Sequence, residues 1–293
     1  MIKAVYLAAA KINLSLDILG KRRDGYHLME MLMQSISLFD RIEISVEQGG
    51  SGISLSCDVP EIPTDGRNLA WKAAESFLPA AGVQAAVHIG IDKKIPSQAG
   101  MAGGSADAAA VLIGLNEMLG SPLEEKELFA MGLSIGADVP FCMAGGTKFV
   151  KGIGEEIVSV PNLPECAFVI AKPVQGVETA ACFRRYDQCL NISHPETKAI
   201  LESLKAGDKQ GVLSRMGNVL EQAAECPEVG DLRERMAQFQ PLGCAMTGSG
   251  SAVAAAFDSV QDAEQCLKGL SGLQQKGTGL FLACPVPYGV CRE

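Results

Sequence analysis

The stretch that decides the fold reads Pro96-Ser97-Gln98-Ala99-Gly100-Met101-Ala102-Gly103-Gly104-Ser105-Ala106-Asp107-Ala108-Ala109. Its glycines and the alanine-rich run after them are typical of a loop that opens into a helix. The first N–H groups of a helix have no partner within the helix and carry partial positive charge, so such a loop can hold phosphate. The pattern is neither a Walker A loop, because no Gly-Lys-Ser/Thr follows, nor G-x-G-x-x-G. A plain turn capped by Ser105 is the alternative interpretation.

The composition is that of an ordinary globular protein. The 293 residues are 47% hydrophobic and 20% charged, and 34 acidic against 25 basic residues give a formal net charge of −9. This excludes a disordered chain and gives no general attraction for nucleic acid or an anionic membrane. No apolar run approaches the ~20 residues of a membrane span, and no secretion signal is recognisable at the start. The ten cysteines form no CxxC pair, so we expect no zinc site and a reducing, cytoplasmic location.

Hydrophobic periodicity predicts a mixture of strands and helices. The alternation over 42–46 resumes at 53–55 after a glycine-rich turn, which indicates a hairpin. Ser121, Pro122 and Glu124 have the pattern of a capping box at a helix start. Helices are predicted at 68–78, 107–119, 122–133, 179–189, 197–205, 209–223, 229–238 and 261–270. Further strands are predicted at 83–91, 167–171, 243–247, 252–257 and 279–284, with a second hairpin over 148–160.

The pattern restarts after Pro161 and Pro164, and we place a domain boundary there, between an N-terminal domain 1–160 and a C-terminal domain 161–293. Both halves mix strands and helices without a regular βα alternation. The fold class expected from the pattern is therefore α+β rather than a doubly wound parallel sheet.

Three motifs spread along the chain carry a family resemblance. They are Ala-Lys-Ile-Asn-Leu at 10–14, the glycine-rich loop at 96–106, and Met-Thr-Gly-Ser-Gly-Ser-Ala-Val at 246–253. In this order they resemble the GHMP kinases, small-molecule kinases named after galactose, homoserine, mevalonate and phosphomevalonate. The resemblance covers essentially the whole chain. It implies a two-domain fold, with an N-terminal domain like that of a ribosomal protein and a ferredoxin-like C-terminal domain, an active site in the cleft between them, and ATP with Mg²⁺.

Two further segments narrow the resemblance. Asp-Gly-Tyr-His at 24–27 and Gly-Ala-Asp-Val-Pro-Phe at 136–141 are similar to the branch of the family that phosphorylates the 2-hydroxyl of a diphosphocytidyl methylerythritol. Another GHMP kinase, such as a homoserine kinase, is the alternative within the family, and the Gly-Tyr-His segment argues against it. A non-catalytic nucleotide-binding protein would be favoured if Lys11 or Asp138 were missing, and both are present. An RNA-binding module is disfavoured by the net charge of −9.

The resemblance implies two catalytic residues. It makes Asp138 the base that takes a proton from the substrate hydroxyl, whereas an isolated Asp here would be a turn or helix-capping residue. Lys11 is implied to pair with Asp138 and to counter developing negative charge, its plain alternative being a surface Lys at a strand end. Asn13 points to the same face if the segment is a strand, where it could bond substrate hydroxyls.

The resemblance also implies how the substrates bind. Tyr26 is expected to stack on cytosine and His27, or its backbone, to bond the edge of the base. Phe183 is expected on the other face of the base, with a helix-core residue as the equal alternative. The residues implied to hold ATP are Asn68, Lys93, Pro96, Ser97, Gln98, Ala99, Gly100, Met101, Ala102, Gly103, Gly104, Ser105 and Ala106.

The loop departs from the family pattern at two positions. Met-Ala at 101–102 replaces Leu-Gly, and we expect Ala102 to donate its N–H if its φ is negative. Ala106 replaces a Ser of many members, which removes one hydroxyl contact to phosphate. No acidic metal cluster is recognisable, so no protein metal site is predicted. The expected partners are ATP and the small-molecule substrate, and a weak homodimer is left open.

Overall fold

Two long antiparallel strands form the centre of the first sheet. β1 (Ile2–Lys21) and β2 (His27–Gln48) pair from Ile2 opposite Val46 to Lys21 opposite His27, with three register shifts on the way. Both strands are apolar and largely buried along their middle, so the helices pack against this part of the sheet. The computed structural model describes all residues from 1 to 293.

Six shorter strands complete this sheet. They are β3 (Ile53–Cys57), β4 (Ala85–Asp92), β5 (Thr147–Gly152), β6 (Glu156–Ser159), β8 (Gly217–Asn218) and β12 (Val290–Arg292). The strand order is β12-β1-β2-β4-β3, with β5 also beside β2, β6 beside β5, and β8 beside β1. The predicted hairpin at 148–160 is confirmed. The predicted hairpin at 42–55 is wrong, because β4 lies between β2 and β3, and β3 pairs with β4 in parallel. Alternation shows which face of a strand is buried, and it does not show which strand lies next to it.

Four helices cover this sheet: α1 (Leu69–Ala80), α2 (Gly103–Met118), α3 (Glu125–Ile135) and α4 (Val139–Ala144). α2 is the central one, and nearly every residue from Ala106 to Asn116 is buried. Gly114 allows its close approach, since a Cβ there would lie 2.7 Å from the ring of Tyr6. α3 begins later than predicted, because its capping box is formed by Glu124 and Glu127, while Ser121 lies in a left-handed turn.

The second sheet is antiparallel and has the order β11-β7-β10-β9, from β7 (Ala167–Lys172), β9 (Gly243–Met246), β10 (Val253–Phe257) and β11 (Gly279–Ala283). Its helices are α5 (Thr179–Tyr186), α6 (Thr197–Lys205), α7 (Lys209–Leu213), α8 (Pro227–Ala237) and α9 (Val260–Leu270). The predicted helix 209–223 is wrong. It breaks into α7, β8 and a 3-10 turn at 219–223, because the Asn218 side chain donates to the carbonyl oxygens of Met246 and Gly248, both at 2.8 Å.

The two sheets with their separate helices form an α+β, two-domain arrangement, which confirms the predicted fold class. Two segments beyond residue 160 return to the first sheet, since β8 and β12 both pair with β1. The exact boundary at 160/161 therefore stays a prediction. No helix combines the length and the apolar character needed to cross a bilayer.

Candidate active site

A cavity of about 800 Å³ lies where β1, the glycine-rich loop, the start of α4 and the start of α5 meet. Most of the residues predicted for the site line it: Lys11, Asn68, Lys93, every residue from Pro96 to Ser105, Asp138 and Phe183. Asn13, Tyr26, His27 and Ala106 do not line it. Ala106 is fully buried and its N–H already donates to the carbonyl oxygen of Ala102 at 2.9 Å, so the prediction that Ala106 contacts ATP has no support in this geometry.

The loop is held against the second glycine turn by backbone contacts. Gly100 has φ +72°, and a Cβ there would lie 2.0 Å from the carbonyl oxygen of Thr247, so only glycine fits. A Cβ on Gly248 would lie 2.6 Å from the carbonyl oxygen of Gly100. The N–H groups of Ser251 and Ala252 donate to the loop carbonyls of Gln98 and Ala99, each at 3.3 Å. The two glycine motifs, about 150 residues apart in the chain, thus form one rigid wall of the cavity.

The start of α2 offers unpaired donors to this cavity. The backbone N–H groups of Gly103, Gly104 and Ser105 donate no hydrogen bond in the structure, and all three residues line the cavity. A 16-residue helix adds its positive N-terminal end at the same place. These donors suit the phosphate groups of a nucleotide. Ala102, the residue before them, has φ +58°, so the condition of a negative φ is not met and this alanine adopts the left-handed conformation that glycine favours.

Lys11 and Asp138 lie next to each other in the wall of the cavity. Lys11 is almost fully buried, its Nζ donates to Oδ1 of Asn13 at 2.8 Å, and it lies 3.9 Å from Oδ2 of Asp138. Asp138 stands at the start of α4, yet its carboxylate accepts no capping hydrogen bond from that helix. Asp138 is therefore not a helix-capping residue. Its half-exposed carboxylate is free to accept a proton or a hydrogen bond from a ligand.

Asn13 connects Lys11 to the second glycine turn. Besides the Lys11 bond, its Oδ1 accepts from the N–H of Gly248 at 3.0 Å, and its own N–H donates to Oγ1 of Thr247 at 3.0 Å. Its Nδ2 is buried and has no hydrogen-bond partner. A buried donor without a partner is costly, but Asn13 does not line the cavity, so the bond to substrate hydroxyls stays a prediction.

Two of the three residues predicted to hold a base, His27 and Phe183, meet at the edge of the cavity. The rings of His27 and Phe183 stack with centroids 4.9 Å apart, and Phe183 lines the cavity. Nε2 of His27 lies 2.7 Å from Oδ1 of Asp187, which also pairs with Lys21. Hydrogen bonds from Lys21 and His27 hold the pKa of Asp187 below its usual range. Tyr26 is 60% exposed, so its ring is accessible to a ligand.

Two residues predicted for the ATP pocket have protein partners of their own. The Asn68 side chain caps α1, with its Oδ1 accepting from the N–H of Ala70 at 2.9 Å and its Nδ2 donating to the carbonyl oxygen of Pro63. The Lys93 ammonium is directed at the buried carboxylates of Asp40 and Asp107. Both residues line the cavity, but their polar ends are already engaged. No group of three metal-binding side chains exists in the structure.

Some lining residues were not predicted from the sequence as site residues. The turn 248–250 and Thr179 lie in the cavity wall, and Thr179 Oγ1 and Ser249 Oγ are 2.8 Å apart. The Gly-Ser-Gly pattern of 248–250 was a detectable signal for a ligand-facing turn. Thr179 carried no such signal, because a Thr at a helix start is ordinary.

Family models and curated relatives agree on the class of this protein. The N-terminal domain model of the GHMP kinases matches residues 68–146, and the C-terminal model matches residues 200–272. The chain belongs to the GHMP kinases. Within that class it is 39% identical to the 4-diphosphocytidyl-2-C-methyl-D-erythritol kinase of Clostridium acetobutylicum, over 88% of this chain and 92% of the relative. It is 44% identical to the kinase of the same name from Desulfitobacterium hafniense, over 89% and 88%.

Solved structures show the same fold. A crystal structure of 4-(cytidine 5′-diphospho)-2C-methyl-D-erythritol kinase superimposes with a TM-score of 0.78 at 32% identity, covering 97% of this chain and 99% of the other. A homoserine kinase from Cytophaga hutchinsonii gives the same TM-score of 0.78 at only 18% identity, over 99% and 97%. The fold is therefore shared by kinases of different substrates, and backbone similarity alone does not select one.

Proposed function

We propose that the protein phosphorylates the 2-hydroxyl group of 4-diphosphocytidyl-2-C-methyl-D-erythritol, with ATP as the phosphoryl donor and Mg²⁺ as its metal. The observation that carries this proposal is the meeting of Lys11, Asp138 and the unpaired N–H groups of Gly103, Gly104 and Ser105 around one cavity. A base, a cation and a phosphate-binding loop are the parts that phosphoryl transfer to an alcohol requires. The names and identities of the relatives support the choice of substrate.

Each residue has a defined task in this proposal. The N–H groups at the start of α2 hold phosphate oxygens, and bound ATP supplies the transferable phosphoryl group with Mg²⁺ reducing its charge. Asp138 accepts the proton of the substrate hydroxyl as that oxygen becomes bonded to the γ-phosphorus and the bond from that phosphorus to ADP breaks. Lys11, fixed by Asn13, stabilises the negative charge that develops on the same oxygen.

The substrate's base is placed by the aromatic group beside the cavity. His27 is held by stacking on Phe183 and by its contact with Asp187. The exposed Tyr26 immediately precedes His27 in the chain. A flat base can stack on an accessible aromatic ring, whereas homoserine or mevalonate has no base to stack. This group is the feature that favours a cytidine-linked substrate over the smaller alcohols.

An ATP-consumption assay tests the proposal directly. We expect ATP turnover with the diphosphocytidyl alcohol and none above background with homoserine or mevalonate. The product should carry one additional phosphate by mass spectrometry. Turnover with homoserine or mevalonate at the greater rate would overturn the choice of substrate and leave the kinase class standing.

A further inference from the structure

Three charged side chains meet beneath the start of α2, where Lys93 and Asp107 also form part of the cavity lining. Nζ of Lys93 lies 2.5 Å from Oδ2 of Asp40 and 2.8 Å from Oδ2 of Asp107. The side chains of Asp40, Lys93 and Asp107 are 0%, 7% and 3% exposed. Charges this deeply buried are expensive unless they are paired, so their arrangement is specific. We refer to these three residues as the buried cluster.

The buried cluster connects the two ends of the phosphate loop. Lys93 stands three residues before Pro96, where the loop begins, and Asp107 stands two residues after Ser105, within the first turns of α2. The ion pair between Lys93 and Asp107 thus connects the segment before the loop to α2, the helix after it. Asp40, on β2, accepts in addition from the N–H groups of Lys94 and Ile95 at 2.6 and 2.8 Å. The loop ends are anchored to the central sheet through these bonds.

The buried cluster also lies close to Gly103 of the loop. A Cβ placed on Gly103 would lie 3.1 Å from Nζ of Lys93 and 3.1 Å from Cγ2 of Ile95. Gly103 carries one of the unpaired N–H groups that face the cavity. The Lys93 ammonium therefore lies close to the residue that carries this donor.

The charges of the buried cluster show which member can be removed. Two carboxylates share one ammonium, and Oδ1 of Asp107 is buried without a hydrogen-bond partner. Burial raises the pKa of Asp107. Burial lowers the pKa of Lys93, but the carboxylates of Asp107 and Asp40 outweigh it and raise that pKa above its ordinary value. Loss of Asp107 leaves a neutral Lys93–Asp40 pair, whereas loss of Lys93 leaves two buried carboxylates without a cation.

We propose that Asp107 is a positioning residue, which through Lys93 and Asp40 fixes the phosphate loop in the conformation that binds ATP. The inference rests on the proposed function, since it needs the loop to be the nucleotide site. It gives Lys93 a role different from a contact with adenine. A binding site held by locked supporting residues loses affinity when that support is removed, even if the residues that touch the ligand are intact.

Nucleotide titration of two substitutions at position 107 tests the inference. Asp107→Ala removes the tie between Lys93 and α2, and we expect the Kd and KM for ATP to rise about 10-fold or more, with KM for the alcohol unchanged. Asp107→Asn keeps an oxygen that can accept from Lys93, and its affinity for ATP should be much closer to wild type. Asp92→Ala, an exposed carboxylate that pairs with Lys94, is the matched control and should bind ATP like wild type.

The outcomes separate a positioning role from a structural one. If Asp107→Ala lowers the thermal transition but binds ATP with wild-type affinity, Asp107 has only a structural role and the inference fails. If Asp107→Asn loses as much affinity as Asp107→Ala, the tie to Lys93 is not what matters. Should Asp107→Ala not fold, Asp107→Ser, too short to reach Lys93, takes its place with the same expectation. A wild-type protein that binds no ATP would overturn the proposed function and this inference together.

Discussion

The carboxylate of Asp138 lies 3.9 Å from the ammonium of Lys11 and accepts no capping hydrogen bond from the helix that begins beside it. A distance of this size is too long for a hydrogen bond, so the pair is an electrostatic one that leaves the carboxylate free to accept. The same ammonium is fixed by Asn13, which is itself bonded to the second glycine turn. The geometry of the pair thus depends on both domains.

Asp138→Asn tests the base. The amide has the same shape but cannot accept the hydroxyl proton, so we expect kcat to fall by about 10²-fold or more with ATP binding retained. Steady-state kinetics and nucleotide titration measure the two effects. Asp231→Asn, an exposed carboxylate on α8, should leave kcat unchanged. Wild-type turnover by Asp138→Asn would remove Asp138 from the mechanism.

Gly100→Ala tests the contact between the two glycine motifs. Its Cβ would collide with the Thr247 carbonyl oxygen, so we expect a loss of roughly 3 kcal/mol or more in the free energy of unfolding, together with weaker ATP binding. Gly120→Ala is the matched control, because Gly120 also has positive φ, +84°, but nothing lies within 4 Å of its Cβ position. It should cost only about 1–2 kcal/mol from its backbone conformation. Equal losses in urea unfolding would show that the collision is relieved.

Ala102→Gly tests the strain in the loop. A left-handed alanine is unfavourable by about 1–2 kcal/mol, and glycine gives back part of this through its freer unfolded chain. We expect a net gain of roughly 0.5–1 kcal/mol in the free energy of unfolding, measured by urea denaturation. Ala102→Val, with a β-branched side chain at the same φ, should be less stable than wild type. A less stable Ala102→Gly would contradict the left-handed conformation.

Tyr26→Ala tests the recognition of the base. Stacking of a base on an aromatic ring is worth about 1–3 kcal/mol, so KM for the diphosphocytidyl alcohol should rise roughly 10-fold or more while KM for ATP hardly changes. CMP and CDP should compete with the alcohol in the wild type and lose that ability in the variant. Cytidine nucleotides that compete equally well in both proteins would place the base elsewhere.

Asp187 gives a pH-dependent contribution to stability. Its pKa in the folded state is lowered by Lys21 and His27, below the value of about 3.9 expected in the unfolded chain. The ionised carboxylate therefore stabilises the fold above about pH 4, and this contribution is lost as the pH falls through the lowered pKa. Asp187→Asn should be less stable than wild type at pH 7, with a smaller difference at pH 3. Lys21→Gln, which removes the first partner, should weaken the same pH dependence.

Local patterns in the sequence were sufficient for most helices and strands, but not for their neighbours. α6 was predicted with its observed bounds, because its amphipathic pattern is strong and local. The pairing of β3 with β4 was missed, since parallel neighbours are chosen by packing between distant segments. The break at Asn218 was missed for the same reason, as its side chain bonds to residues some 30 positions later.

Those parts of the candidate site that lie within one short sequence motif were predictable. The loop 96–105 and Asp138 each lie in a contiguous pattern, and the structure places both in the cavity wall. The buried cluster was not predictable, because Asp40, Lys93 and Asp107 come from three separated segments with no common motif. The orientation of Lys93 was not predictable from the sequence either, because a lysine beside a phosphate loop is ordinarily expected to point toward the ligand.

The pairing of β12 with β1 has a consequence for the order in which the chain folds. β1 precedes its partner at 290–292 by about 280 residues, so it leaves the ribosome long before that partner. Until residues 290–292 are synthesised, β1 has no partner strand beside residues 6–8. Other strands can pair with an unpaired strand edge. The first sheet is therefore completed only after the strands of the second sheet have been synthesised.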